Sequence, residues 1–342
     1  MCKQMSATLL HNEIYDTLTM YHLSNALRTV KRLCCSAVLC YSTLLAIAKP
    51  TMTGSSTAPL FLANLTLGDD GIWGNVEPSQ YQKVEQTLRE EVANAEYDDY
   101  LLEISKHHSI EVMDKEVKDF IQRIPVNGVI CDVGGCWGWH WRNLHIYRPD
   151  ISVVIVDFVR ANLQHARKLL GDVVGSNIFL VHGDATNLSF KDEIFDGYWS
   201  VQTLQHIPDL RIALREAKRV LKEGGVFTNY SLNNSSLMQK IYSFFQKEYV
   251  IDSFTSTFYL RRDNVQSCRV YLEYFYSKSK ISYSEILFKP EFRIWHSGRT
   301  GSLLGKIDSL LSGDMQLLGP FARQISVHAI KPTQLPLSTI GQ

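Results

Sequence analysis

The stretch from Cys131 to Trp141, CDVGGCWGWHW, gathers a carboxylate, three glycines and three tryptophans into a few turns of chain. Gly134, Gly135 and Gly138 leave the backbone bare, so a ligand can approach the main chain closely. Where such a turn joins a buried strand to a helix N-terminus, backbone amides point at the ligand. Three carboxylates stand at or just past the ends of successive apolar runs: Asp132, Asp157 and Asp184. His206 follows the next apolar run and is the residue best placed to act as a general base towards a hydroxyl. The spacing excludes two common phosphate sites. The order of glycines from Gly134 to Gly138 does not fit G-x-G-x-x-G, and no G-x-x-x-x-G-K-[ST] is present. Metal chemistry has no matching acidic cluster. The seven cysteines show no CxxC pair and no His/Cys spacing of a zinc site, which suits free thiols in a reducing compartment. Cys268 has no evident base partner and is not expected to be a nucleophile.

The elements that must position these residues begin after Pro125. A short apolar run from Gly128 to Val133 leads into the glycine loop, and the stretch up to Ile146 reads as helical. ISVVIVD (151–157) is a continuous apolar run of the kind found in buried parallel strands. A helix over 159–170 precedes a third strand in NIFLVHGDA (177–185). FDGYWSVQ (195–202) is a fourth strand, and residues 210–221 carry a helical apolar pattern. KEGG (222–225) stops that helix, and VFTNYSL (226–232) is a fifth strand. Strands alternating with helices predict an α/β fold with a mostly parallel sheet covered on both faces. FRIWHS (292–297) and QISVHAIK (324–331) read as two further strands, with a helix over 302–311 between them.

This order of motifs resembles the class I S-adenosylmethionine-dependent methyltransferases of the methyltransferase type 11 kind. Their first motif is an acid, any residue, then Gly-x-Gly-x-Gly. DVGGCWG places Asp132, Gly134 and Gly138 in register, but Cys136 stands where the family has its middle glycine, which narrows the allowed backbone angles. The resemblance covers roughly residues 126–230 and implies a Rossmann-like, doubly wound sheet of seven strands. It assigns cofactor contacts to Asp132, Gly134, Gly135, Cys136, Trp137 and Gly138 in the loop, to Asp157 and Phe158, to Asp184 and Ala185, and to Ser200. Asp157 matches the acid that accepts hydrogen bonds from the two ribose hydroxyls, a task suited to a carboxylate with two acceptor oxygens. Asp184 matches the acid that meets the adenine amino group. FDGYWSVQTLQHIPD matches the fourth strand and its following segment, and LREAKRVLKEGGVF the next helix, turn and strand. Asp132 serves equally well as an organiser of the loop. Trp137 could wall off the sulfonium or pack the helix against the sheet, and packing is the plainer role for Trp139 and Trp141. Trp137 and Trp141, four apart, could share one helical face. His206 is the candidate catalytic base, with capping or packing as its plainer role. The implied activity is methyl transfer to a small molecule; a catalytically silent cofactor-binding protein of the same fold is the alternative.

The chain has 342 residues with 35 basic and 35 acidic side chains, so no charge excess points to nucleic acid. The sequence divides into an extension (1–51), a helical cap (52–123), and the cofactor-binding domain (124–332). Within that domain an aromatic lid insertion is expected over 233–282, and 333–342 reads as a tail. The helical pattern of the cap runs from Glu77 to Arg123. In the extension, residues 33–48 form a mostly apolar run, short for a membrane span. It reads as a core or amphipathic helix, as a membrane anchor, or as sequence upstream of a true start at Met52. A cytoplasmic location is expected.

Overall fold

The computed structural model describes residues 59–74, 76, 83, 86–87, 90, 108–234, 237–245, 259–275, 277–288 and 298–333. All of them belong to one unit, Ala58–Gln342. The apolar run 33–48, the strand expected over 292–297 and the tail lie outside the described residues, apart from Thr333 at the tail's start. So does most of the helical pattern over 77–107.

Seven strands form one sheet in the order β3-β2-β1-β4-β5-β7-β6. They are β1 (Val129–Val133), β2 (Ser152–Asp157), β3 (Ile178–His182), β4 (Phe195–Val201), β5 (Leu221–Leu232), β6 (Ser277–Ser284) and β7 (Gln324–Ile330). The pairings β1–β2, β1–β4, β2–β3 and β4–β5 are parallel, while β7 runs antiparallel between β5 and β6. Alternation along the strands splits the apolar core in two. Ile130, Ile155, Trp199 and Tyr230 face one side, against Phe120, Trp141, Leu163 and Ala166. Cys131, Val154, Tyr198 and Phe227 face the other, against Ala213, Leu214, Ala217 and Tyr271. The first side is covered by α1 (His108–Ile121) and α3 (Arg160–Leu170), the second by α4 (Leu210–Val220) and α6 (Arg269–Tyr274). Burial on both faces is why the central strands read as continuous apolar runs. The direction of strand addition reverses between β1 and β4. In sheets of this kind, ligands bind at that switch point, beyond the carboxyl ends of the strands.

Several elements differ from their sequence reading. The stretch after the glycine loop is a 3-10 turn, Trp139–Trp141, followed by the four-residue α2, Leu144–Tyr147. Gly138, left-handed at φ 69°, closes the loop and starts a tight turn instead of an α-helix. The glycine pair 224–225 lies inside β5, where the pairing to β4 shifts register and Gly224 adopts φ 74°. Helix α4 ends one residue before that strand begins. β6 spans the end of the segment 233–282 that was expected to be a lid, in the sequence SKSKISYS, and belongs to the sheet instead. It is an edge strand in which Lys280 is exposed while Ser282 and Ser284 are buried, with Ser282 bonded to Ser326 and His328, so it carries no apolar run. The short helices α5 (Leu237–Phe244) and α6 precede it in the same insertion, and α7 (Gly298–Leu311) follows.

Residues 59–74, at the start of the expected cap, form a 3-10 turn (Leu60–Leu62) and a strap along the edge of β3. Trp73 makes a parallel bridge to Val181, and Asp70 takes a two-pronged ion pair from Arg160 at 2.9 and 2.7 Å. No helix among the described residues is long and apolar enough to cross a membrane.

Candidate cofactor site

The glycine loop is bound on both sides by its own sheet. The Gly134 amide donates to Val156 O at 2.7 Å, and the Thr203 hydroxyl lies 3.3 Å from Gly134 O. Gly134 adopts φ 74°, and a Cβ there would lie 2.0 Å from Thr203 Oγ1. A Cβ on Gly135 would lie 2.2 Å from Asp132 Oδ2. Both glycines are therefore required sterically. The loop is a cradle whose glycines admit the Thr203 side chain at Gly134 and the Asp132 carboxyl at Gly135.

Asp132 lies beneath this loop, 1% exposed. The Trp141 indole N–H donates to its Oδ2 at 2.6 Å. Burial pushes the carboxyl up to about 7, the Trp141 hydrogen bond opposes that rise, and the charge of Asp157 adds to it. A carboxylate sealed under the loop organises it from below. Of the two roles that the sequence left open for Asp132, the geometry supports that one.

Asp157 ends β2 and is 7% exposed. Its Oδ2 accepts the Cys136 amide at 3.0 Å, and its Oδ1 accepts the Val159 amide at 2.9 Å and the Asn162 side chain at 3.4 Å. The carboxylate thus ties the glycine loop to the start of α3. Cys136 is exposed and adopts φ 51°. The position has kept the left-handed conformation that glycine favours, although a cysteine fills it. Gln202, the first residue past β4, is a second non-glycine in this region at φ 51°. Two strained backbones thus stand on the loops after β1 and β4, the two strands that flank the switch point.

The three tryptophans separate. Trp137 turns towards α3: its N–H donates to Asn162 Oδ1 at 3.0 Å and its ring meets His165 edge-on. Trp141 is buried against Trp199 and Asp132. The face that Trp137 and Trp141 were expected to share is not formed, because the chain between them is a loop and a 3-10 turn. Trp139 carries the Arg142 guanidinium over its ring at 4.4 Å, and its buried indole N–H has no hydrogen-bond partner among the described residues. His140, held down to about 4 chiefly by burial, meets Trp199 edge-on.

The remaining candidates line the carboxyl edge of the sheet. The Asp184 carboxylate accepts the Thr186 amide and hydroxyl, both at 2.8 Å, in a local turn next to Ala185. Phe158 O lies 3.0 Å from His182 Nε2, which fixes the residue after Asp157. Ser200 is fully buried and donates to Val133 O at 3.0 Å, so its hydroxyl joins β4 to β1. His206 Nδ1 lies 3.1 Å from Tyr259 O. A carbonyl only accepts, so the proton sits on Nδ1, and Nε2 faces the Gln205 side-chain amide at 3.5 Å. Three residues that the sequence did not single out complete the arrangement. Thr203 packs on Gly134, Asn162 links Trp137 to Asp157, and Arg261 ties the segment before α6 to Gln205 O and Leu204 O. Asp263, buried, anchors that segment through Arg261 and Tyr271. Among the described residues no cluster of three His, Cys, Asp or Glu side chains could hold a metal ion.

Sheet order and switch point are those of a doubly wound α/β sheet with a glycine loop after its first strand. Comparison with known proteins agrees: residues 131–228 match the family model described as a methyltransferase domain. Over those residues the chain is similar to that methyltransferase domain. One similar protein is a demethylmenaquinone methyltransferase of Staphylococcus haemolyticus, 51% identical over 51 residues, which are 15% of this chain and 21% of that protein. Another is 2-methyl-6-phytyl-1,4-hydroquinone methyltransferase 1 of Oryza sativa subsp. japonica, 32% identical over 97 residues, 28% of each chain. Neither match spans even a third of the relative's own length. Among solved structures, a possible histamine N-methyltransferase of Thermotoga maritima aligns with a TM-score of 0.49 and 18% identity, over 73% of this chain and 99% of that one.

Proposed function

We propose that the protein transfers the methyl group of S-adenosylmethionine to a small-molecule acceptor. The observation that carries this reading is the cradle of Gly134 and Gly135, braced by Asp132 below and by Asp157 at its side. The cofactor supplies an electrophilic methyl group on a sulfonium, whose sulfur is a good leaving group. In this reading the loop backbone takes the methionine portion. Asp157 turns its carboxylate to the ribose and Asp184 marks the adenine end, with Phe158 and Ala185 beside them. The carbon–sulfur bond breaks as the bond to the acceptor forms, the electron pair returns to sulfur, and S-adenosylhomocysteine leaves. The protein's main contributions are alignment and exclusion of water. Where the acceptor is a hydroxyl, its proton passes to His206 Nε2, the ring being held by Tyr259 O. Binding by a silent scaffold protein is the competing reading, and Cys136 in place of glycine is what supports it.

The names of the two curated relatives specify quinone- and hydroquinone-type acceptors, which places hydroquinones first in an acceptor screen. The test is transfer of label from methyl-labelled cofactor to hydroquinones, catechols and small amines by the full chain. Saturable transfer to one class supports the proposal. Cofactor binding with no transfer to any acceptor, in the presence of cell extract as well, would favour the scaffold reading.

A further inference from the structure

Helix α7 (Gly298–Leu311) is inverted. Its buried positions are Gly301, Gly305 and Asp308, which are small or polar. Gly305 packs so closely on α1 that a Cβ would lie 2.5 Å from His108 O. Asp308 pairs with the buried His108 ring at 2.6 Å and accepts the Ile286 amide at 2.8 Å. The outward face instead carries Leu303, Ile307 and Leu310, the last of them 82% exposed. An ordinary surface helix does the opposite. The apolar character continues beyond the helix into the 3-10 turn Gln316–Phe321, where Leu317 is 85% exposed. That turn is tied to the carboxyl end of β5 by the Asn233 side chain, which donates to Gly319 O and Ala322 O at 2.8 and 3.0 Å. Helix α5 lies against the turn and shows a second apolar stripe at Leu237, Ile241 and Phe244.

The charges on these exposed faces have one sign. Arg299 and Lys306 stand among the α7 leucines, and Lys240 stands on α5; all are exposed and none makes an ion pair among the described residues. The acids in the same elements are accounted for: Asp308 is buried with His108, and Asp314 is paired to Lys280. Exposed leucines with interspersed cations and, among the described residues of these elements, no unpaired acid fit an interface that is apolar at depth and anionic at its surface.

We propose that α7 and the Gln316–Phe321 turn dock on an anionic lipid surface, a partner beyond the proposed methyl transfer and independent of it. The leucines enter the headgroup–acyl boundary while Arg299 and Lys306 meet lipid phosphates. Docking would bring the carboxyl end of β5, beside the cofactor loops, close to the membrane.

The test is co-sedimentation of the full chain with vesicles of phosphatidylcholine alone and of phosphatidylcholine with phosphatidylglycerol. The expected result is binding to the mixed vesicles, weaker by about ten-fold or more on the neutral ones and at raised salt. The double variant Ile307→Asp/Leu310→Asp should abolish it. Arg299→Ala/Lys306→Ala, which leaves the apolar face intact and guards against misfolding of the first variant, should remove the preference for anionic lipid. Circular dichroism and urea unfolding of each variant report an intact fold, so failure here and failure of the proposed function are read separately. No vesicle binding by folded wild-type protein overturns the proposal. So does binding unchanged in both variants, which would put the contact elsewhere in the chain. Self-association that the first variant abolishes, without vesicle binding, would make the face a protein interface and overturn it equally.

Discussion

Replacing Asp132 with asparagine tests whether the glycine loop rests on a buried carboxyl. The side chain is 1% exposed and its value is raised from 3.8 to about 7, chiefly by burial. A folded value raised above the unfolded one gives stability that is present at low pH, below the unfolded value, and lost as pH rises towards about 7. The rise of about three units corresponds to about 4 kcal/mol in total at about 1.36 kcal/mol per unit. Part of it is already lost by pH 4.5, so about 3 kcal/mol falls between about pH 4.5 and 8.5. In Asp132→Asn the side-chain amide keeps an acceptor for the Trp141 N–H and does not titrate. Urea unfolding of both proteins across that window, with the wild-type stability minus the variant stability as readout, should fall by about 3 kcal/mol as pH rises. His140 and His328, held down to about 4 and about 3 by burial, act in the opposite sense, their contribution being lost as pH falls. They are common to both proteins and cancel in the difference. Parallel curves for the two proteins would refute the reasoning, because Asp132 would then not be desolvated beneath the loop.

Other outcomes follow from the same geometry. Cys136→Gly should stabilise the protein by about 0.5–1 kcal/mol, because glycine accepts φ 51° without strain; a loss of stability in urea would contradict that. Gly134→Ala should cost about 2–4 kcal/mol through both its left-handed backbone and the clash with Thr203. Adding Thr203→Gly should recover the steric part alone, and additive losses in the double variant would count against the close contact. His206→Ala should lower kcat for a hydroxyl acceptor by about 10²-fold or more while leaving S-adenosylhomocysteine affinity within about two-fold. Unchanged turnover would retire its role as base.

The glycine loop was legible in the sequence because its geometry is local. Glycines at 134, 135 and 138 and acids at strand ends carry their meaning in type and spacing. β1 to β4 were legible because burial on both faces keeps such strands largely apolar. What burial does to an individual side chain is not written locally. Asp132 reads as a possible ligand until Trp141 and Gly135 are seen to seal it in. Trp137 and Trp141 read as able to share a helical face because the left-handed turn at Gly138, which breaks the helix, leaves no mark on the indoles. β6 was hidden because its buried serines, of which Ser282 is satisfied by Ser326 and His328, break the apolar run that marks the central strands. The inverted face of α7 is invisible without its partner, because an apolar pattern at helical spacing reads as a buried face until α1 is found on the other side.

The central claim is that the loop from Asp132 to Gly138, with Asp157, holds an adenosyl cofactor. Calorimetric titration of S-adenosylhomocysteine into the full chain, with NAD as control and Asp157→Ala in parallel, tests it most directly. The account predicts micromolar binding, no response to NAD, and a loss of about 1.5–3 kcal/mol in the variant, whose fold is checked by circular dichroism. No binding by folded wild-type protein, or equal affinity in a folded Asp157→Ala variant, would contradict it.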